Sequence, residues 1–435
     1  MADSQEIEFF ENLTNAIRDM QSVFPFGVGK ATYLYFDKLL KQIHDPNKKI
    51  ILANIAVCPE ICYAMDLVPI QQELTTAFCA VIGTSVEHLD SAVEAGIPQG
   101  YLCNFQKVWI GAMISNKLPR PDILVYAPEP CDSMHANYQV IQNLYKIPAF
   151  GFDIPYWTHE ESSPYYSDTI SKYMGNQVKK MVSFLEKHTN SKLDPEKLKE
   201  AIEKSNIARQ NILEILEFCK AVPSPLPSSV LTPFLLLLSC LLGSDEAIHL
   251  TKSVRDEVYS RFKNKQGHIA LTYKKKTEKL RLLWLLIPIA FDLGISAWME
   301  RKYSCMVLMD ILSIYLTPPI DMSSLESIYR DLGKAVLDYP MGRQYRGPIE
   351  YFLDDVLRIC RDYKIDAAIL GGHNCKNVFA VRKLIAETLI KEVGIKTLEL
   401  EADSLDPRVN PRKNIKRTLG QFLDRVTEEK YGIEK

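Results

Sequence analysis

Short apolar runs, each closed by turn residues and followed by a helical stretch, recur along this chain and constrain its fold more than any other feature. "IILANIAV" (50–57) is such a run, and "CPEICYAMDL" after it starts a helix with Pro59 in the first turn, where a missing N–H is harmless. "DILVYA" (122–127) is a second run, leading through "PEPCDSMHANYQVIQNLY" into a helix, and "PAFGFDIP" (148–155) is a third. The pattern resumes with "LRLLWLLIP" (280–288), "AAILGG" (367–372) and "IKTLELEAD" (395–403). Strands alternating with helices specify a parallel α/β sheet. We therefore expect two doubly wound parallel-sheet α/β domains facing a cleft.

The chain has 435 residues, too many for one ordinary core. Residues 1–45 show helical spacing (Ile7, Phe10, Leu13, Ile17, Met20) and are read as an N-terminal helical segment. The first α/β domain is placed at 46–193. Residues 194–230 form a linking helix, opened by Asp194-Pro195, and a proline-rich connector, "AVPSPLPSS"; the second domain is placed at 231–435.

Composition narrows the partners. A net charge of −2 leaves no electrostatic footprint for nucleic acid. The most apolar stretch, "LTPFLLLLSCLLG" (231–243), is too short to span a bilayer and is read as a buried helix, so no membrane is expected. The N-terminus, "MADSQEIEFFENL", has no apolar signal region, which predicts a cytoplasmic protein. Ten cysteines in such a chain point to thiols or metal ligands rather than disulfides.

The cysteines divide by context. Cys79, Cys219, Cys240, Cys305 and Cys360 sit in apolar runs and read as core. Cys58 and Cys62, spaced i, i+4, place two sulfurs on one helix face, and Cys58 also ends a strand. Three others are out of place. Cys131 lies four residues beyond the end of "DILVYA", Cys375 five beyond Leu370 in "AAILGGHNCKN", and Cys103 follows the glycine-led "AGIPQGYLCNFQK". Ligands of open parallel sheets bind just beyond the carboxyl ends of the strands, so the three thiols would converge if the two sheets face each other. Three sulfurs with one open position suit either a [4Fe–4S] cluster or a zinc with a catalytic water, and the all-sulfur set favours iron–sulfur.

The stretches "ANIAVCPEICYAMDLVPI", "AGIPQGYLCNFQK", "PRPDILVYAPEPCDSMHANYQVIQNLYKIPAFGFDIPY", "AVPSP", "GGHNCKN" and "EADSLDPR" resemble, in order, the 2-hydroxyacyl-CoA dehydratase and benzoyl-CoA reductase family. The "DPR" before a basic helix is similar to the larger, alpha-type subunit. The resemblance implies two α/β domains and a [4Fe–4S] cluster held by Cys103, Cys131 and Cys375, with the fourth iron open to an acyl-CoA carbonyl. It implies elimination of water from an (R)-2-hydroxyacyl-CoA, in which one-electron reduction to a ketyl radical expels the hydroxyl and acidifies the β-proton. The alternatives are an ATP-dependent benzoyl-CoA (aromatic acyl-CoA) reductase subunit or a double-cubane iron–sulfur reductase. A heterodimer with a second homologous cluster-bearing subunit and an ATP-dependent iron–sulfur activator are the implied partners. The chain has no GxxxxGK[ST] phosphate loop, in keeping with an acceptor of electrons.

Secondary candidates follow. Gly371 and Gly372 would offer backbone N–H groups to an anionic cluster. His373, near Cys375, and His135, near Cys131, are candidates for substrate hydrogen bonding or proton relay, or else loop histidines without a role. In the motif that here reads "VPIQQEL", Glu73 is the nearest candidate for a substrate-contacting base. Arg343 and Arg346 in "YPMGRQYRGPIE" face either CoA phosphates or solvent.

Overall fold

A computed structural model describes residues 4–100, 102–129, 131–156, 167–274, 276–315, 317–373 and 376–432. Its eight strands are β1 (Ile50–Ala53), β2 (Val68–Gln71), β3 (Ile123–Tyr126), β4 (Ala149–Gly151), β5 (Leu280–Trp284), β6 (Cys305–Asp310), β7 (Ala367–Gly371) and β8 (Lys396–Leu400). They form two four-stranded parallel sheets, ordered β2-β1-β3-β4 and β6-β5-β7-β8. The two orders are the same topology repeated. This is the expected α/β class with two doubly wound parallel sheets. Registers are continuous in the first sheet, with Ile51 opposite Ile123 and Leu124 opposite Ala149, and β5 slips by one residue against β6 between Leu282 and Leu283.

Each sheet has its switch point between its two central strands, where the chain turns from building one side to building the other. β1, β3, β5 and β7 are buried along their whole length, as strands covered by helices on both faces must be. At the first switch point Asn54 ties the strand ends together: its Nδ2 donates to Ala127 O and its Oδ1 accepts from Ala127 N, both at 3.1 Å. At the second, Leu285 N donates to Ile369 O at 2.7 Å, and Trp284 Nε1 donates to Gly371 O at 2.9 Å.

The chain forms two compact units from interleaved segments. The first comprises Met1–Leu213, Pro233–Arg255 and Tyr315–Pro348; the second comprises Glu214–Thr232, Asp256–Ile314 and Ile349–Lys435. In the first, the N-terminal helices Ser4–Asp19 and Val28–Ile43 bury Phe10, Leu13, Ile17, Phe36 and Leu39. In the second, Leu280, Leu282, Trp284 and Ile369 pack with Ile415, Leu419 and Leu423 of the C-terminal helix Arg412–Tyr431, so the basic helix of the sequence is amphipathic and docked by its apolar face. The apolar stretch around Leu236 forms a buried helix, Ser228–Leu241. Among the described residues no helix is long and apolar enough to cross a membrane.

Candidate functional site

Nine cysteines are described, and seven of them are buried: Cys58, Cys62, Cys79, Cys219, Cys240, Cys305 and Cys360. Burial pushes the thiols of Cys62, Cys79, Cys219, Cys240 and Cys360 up to about 12, and those of Cys58 and Cys305 well above the ordinary range. Thiols held protonated in this way are poor ligands and poor nucleophiles. Cys103 and Cys131 alone among the nine are half-buried.

Both occupy the N-cap of a helix, Cys103 before Asn104–Ile114 and Cys131 before Asp132–Tyr145. The Cys131 sulfur accepts the Met134 N–H at 3.4 Å, and the Cys103 N–H donates to Ser133 Oγ at 3.1 Å, which fastens the two helix starts together. The polar residues after Cys103 are not a loop. Gln106 and Lys107 are buried within its helix, so polarity at this point of the sequence marks an internal polar network rather than a surface. Cys375 lies outside the described residues. Among the described residues, no three His, Cys, Asp or Glu side chains gather as a metal-binding group.

Behind the two thiols runs a buried polar network in the first unit. Glu73 Oε2 accepts from Ile55 N at 3.2 Å and from Gln71 Nε2 at 2.8 Å. Gln72 Nε2 donates to Gln106 Oε1 at 2.5 Å, and Asn137 Nδ2 donates to Gln72 Oε1 at 3.0 Å. Burial pushes the Glu73 carboxyl up to about 7, so it exchanges a proton in the neutral range.

The segment that carries Arg343 and Arg346 closes the same site. Tyr339 Oη donates to Glu129 O at 2.7 Å and feels Cys131, Arg346, Glu73 and Glu129 electrostatically. Arg346 is 1% exposed, so it does not face solvent, while Arg343 lies 3.6 Å from Asp338. Desolvation opposes the charge on Arg346, a cation buried beside Tyr339 and Glu129. The sequence marked this segment by its arginines and gave no reason to single out Tyr339.

In the second unit, His373 is 2% exposed and its Nδ1 lies 3.2 Å from Asp403 Oδ2. Asp403 is fixed by the backbone N–H groups of Leu405 and Asp406, at 3.0 and 3.1 Å on Oδ1. Gly371 and Gly372 sit at φ +138° and +89°, and a Cβ there would lie 1.9 Å from Leu400 O and 2.6 Å from Ile287 O respectively, so only glycine fits. The Gly372 N–H donates to Leu400 O at 3.2 Å. His135 is exposed beside Gln139 at 2.7 Å. Cys58 and Cys62 are both buried, with Cys58 Sγ 3.7 Å from Leu332 O.

The sequence model of the family described as 2-hydroxyglutaryl-CoA dehydratase, D-component, matches residues 54–426. A benzoyl-CoA reductase subunit of Thauera aromatica is 20% identical over 351 residues, covering 76% of this chain and 78% of the relative.

Proposed function

Because the chain belongs to the 2-hydroxyglutaryl-CoA dehydratase D-component family, we propose that it is the [4Fe–4S]-bearing subunit of an (R)-2-hydroxyacyl-CoA dehydratase. The observation that carries the reading is the family match, which spans both units of the chain. Cys103, Cys131 and Cys375 would hold the cluster. The described donors fit it: two half-buried thiols, joined at neighbouring helix starts, stand apart from seven thiols that burial keeps protonated. A bound cluster of this type supplies low-potential one-electron chemistry to an acyl thioester.

The chain's own residues then have distinct tasks. Glu73 would take up and return the substrate proton, for which a carboxyl near neutrality is matched. Arg346 would place a positive charge beside the acyl group, and the buried walls around Tyr339 and Glu73 would exclude water. His373 would act in the second unit, held by Asp403, after a turn whose conformation Gly371 and Gly372 make possible. The partners of this reading are a second, homologous cluster-bearing subunit, an ATP-dependent iron–sulfur activator and an acyl-CoA in the cytoplasm.

A second reading, an aromatic acyl-CoA reductase component, draws on the likeness to the benzoyl-CoA reductase of Thauera aromatica. One experiment addresses both. The chain is purified anaerobically with its partner subunit, assayed for iron and sulfide, and offered 2-hydroxyacyl-CoA and aromatic acyl-CoA thioesters with activator and ATP. About four irons per chain and a 2-enoyl-CoA product are expected. A colourless, iron-free chain overturns the cluster, and ring reduction without dehydration favours the second reading.

A further inference from the structure

The Glu73 carboxylate is satisfied on one side only. Oε2 takes two hydrogen bonds, whereas Oε1 has no partner among the described atoms. Three other buried polar atoms on the two helices that the Gln72–Asn137 hydrogen bond joins are also without partners among the described atoms: Thr76 Oγ1, one turn further along the Glu73 helix, and Asn137 Oδ1 and Tyr138 Oη on the helix that Cys131 caps. Tyr138 is 0% exposed and Glu73 8%. The two act on each other electrostatically yet share no direct hydrogen bond.

Buried polar groups without partners are rare, and each needs an explanation. Groups of this kind are commonly joined by a buried water, which takes two to four polar partners. Tyr138 is also held rigidly. Its ring stacks on Tyr126 with centroids 4.4 Å apart and planes at 19°, which fixes the direction of its hydroxyl.

We propose that Tyr138 is a positioning residue for Glu73, acting through one buried water that accepts from the phenol and donates to Glu73 Oε1. The water completes the second oxygen of the carboxylate as the backbone and Gln71 complete the first. Burial keeps the Tyr138 phenol protonated, so it is a fixed donor and gives up no proton itself. Cys240 on Ser228–Leu241 and Tyr339 also act on Glu73, and burial keeps both neutral as well, while the neighbouring helix Asn104–Ile114 carries the buried cation Lys107. Glu73 is therefore the group of this set that titrates near neutrality. The inference deepens the role given to Glu73 above and rests on that reading for its use in turnover; the bridge itself does not.

The test is infrared difference spectroscopy of the purified protein without substrate, followed across pH in H₂O and D₂O. The protonated-carboxyl band that titrates near neutrality is assigned by its loss in Glu73→Gln. Tyr138→Phe, which keeps the ring and removes the hydroxyl, is expected to move that titration up by about one pH unit, because a hydrogen bond to a carboxylate favours its charged form. A thermal melt accompanies it. If Tyr138→Phe does not fold, 3-fluorotyrosine placed at 138 keeps the hydroxyl as a stronger donor and should move the titration down instead. A Glu73 band that titrates identically in wild type and the folded variant overturns the proposal. Because no substrate or cluster enters the measurement, its failure is separate from failure of the acyl-CoA reading, which iron content and turnover decide.

Discussion

The Arg209 guanidinium lies 2.7 Å from Glu60 Oε1, with both side chains buried. Ser205 Oγ donates to the same carboxylate oxygen at 2.6 Å and accepts from Arg209 Nε at 3.0 Å, while Arg209 also donates to the Tyr315 hydroxyl at 3.1 Å. Glu60 sits in the first helix after β1, two residues past Cys58, so this ion pair anchors the end of a central strand. Removing one partner strands a charge in the interior. Arg209→Met should lower stability by about 3–5 kcal/mol, read as a fall in the urea midpoint. The double variant Glu60→Gln, Arg209→Met should recover part of the loss, and full additivity of the two changes would contradict this account.

Glu73 gives stability a pH dependence of definite sign. Its carboxyl is raised from the ordinary 4.5 to about 7, so between those values the folded state binds the proton more tightly than the unfolded chain. Stability therefore falls as pH rises through that window, by on the order of 3 kcal/mol, and is level above it. Asp310, raised by burial to about 6, contributes with the same sign. The Glu73 share is isolated as the difference between wild type and Glu73→Gln, whose unfolding curves should converge near pH 4 and separate by pH 8.

Thiol reactivity should sort the cysteines by burial. In metal-free protein, iodoacetamide is expected to modify Cys103 and Cys131 at least tenfold faster than Cys62, Cys79 or Cys240, as followed by peptide mass mapping. The corresponding variants should divide the same way. Cys103→Ala should lose iron while the melting temperature of the metal-free chain holds. Cys62→Ala should keep iron and lose about 1–2 kcal/mol of stability from the small cavity it leaves.

Gly111 lies where the helix Asn104–Ile114 crosses the helix Ser85–Glu94. A Cβ at this position would lie 1.8 Å from His88 O and 2.7 Å from its carbonyl carbon, so the helices must separate to admit it. Gly111→Ala should cost about 3 kcal/mol despite alanine's better helix propensity, measured by chemical denaturation. A neutral or stabilising result would mean that the crossing yields readily.

The parallel architecture was legible because β1, β3, β5 and β7 lie in apolar runs set off by turn residues. β2 and β6 were not legible. β2 contains Pro69, which argues against a central strand; it is tolerated because β2 lies at the sheet edge. β6, "CMVLMD", is buried at all six positions and carries no alternation to separate it from a core helix. The site was legible where residue type conflicted with context, as at Cys103 and Cys131. Tyr138 and Tyr339 escaped notice because a tyrosine in an amphipathic helix or a turn looks the same whether it packs or positions. Their unusual surroundings are created by elements far away in the chain.

The interleaving of the two units bears on how the protein is made. The first unit is complete only when Tyr315–Pro348 has been added to residues that were synthesised much earlier, and parts of the second unit lie between them. Tyr339 and Arg346, which close the site around Cys131, thus leave the ribosome more than two hundred residues after that thiol. Until they arrive, the pair of helix starts that carry Cys103 and Cys131 lacks the wall that Tyr339 and Arg346 supply, so that wall forms only late in synthesis.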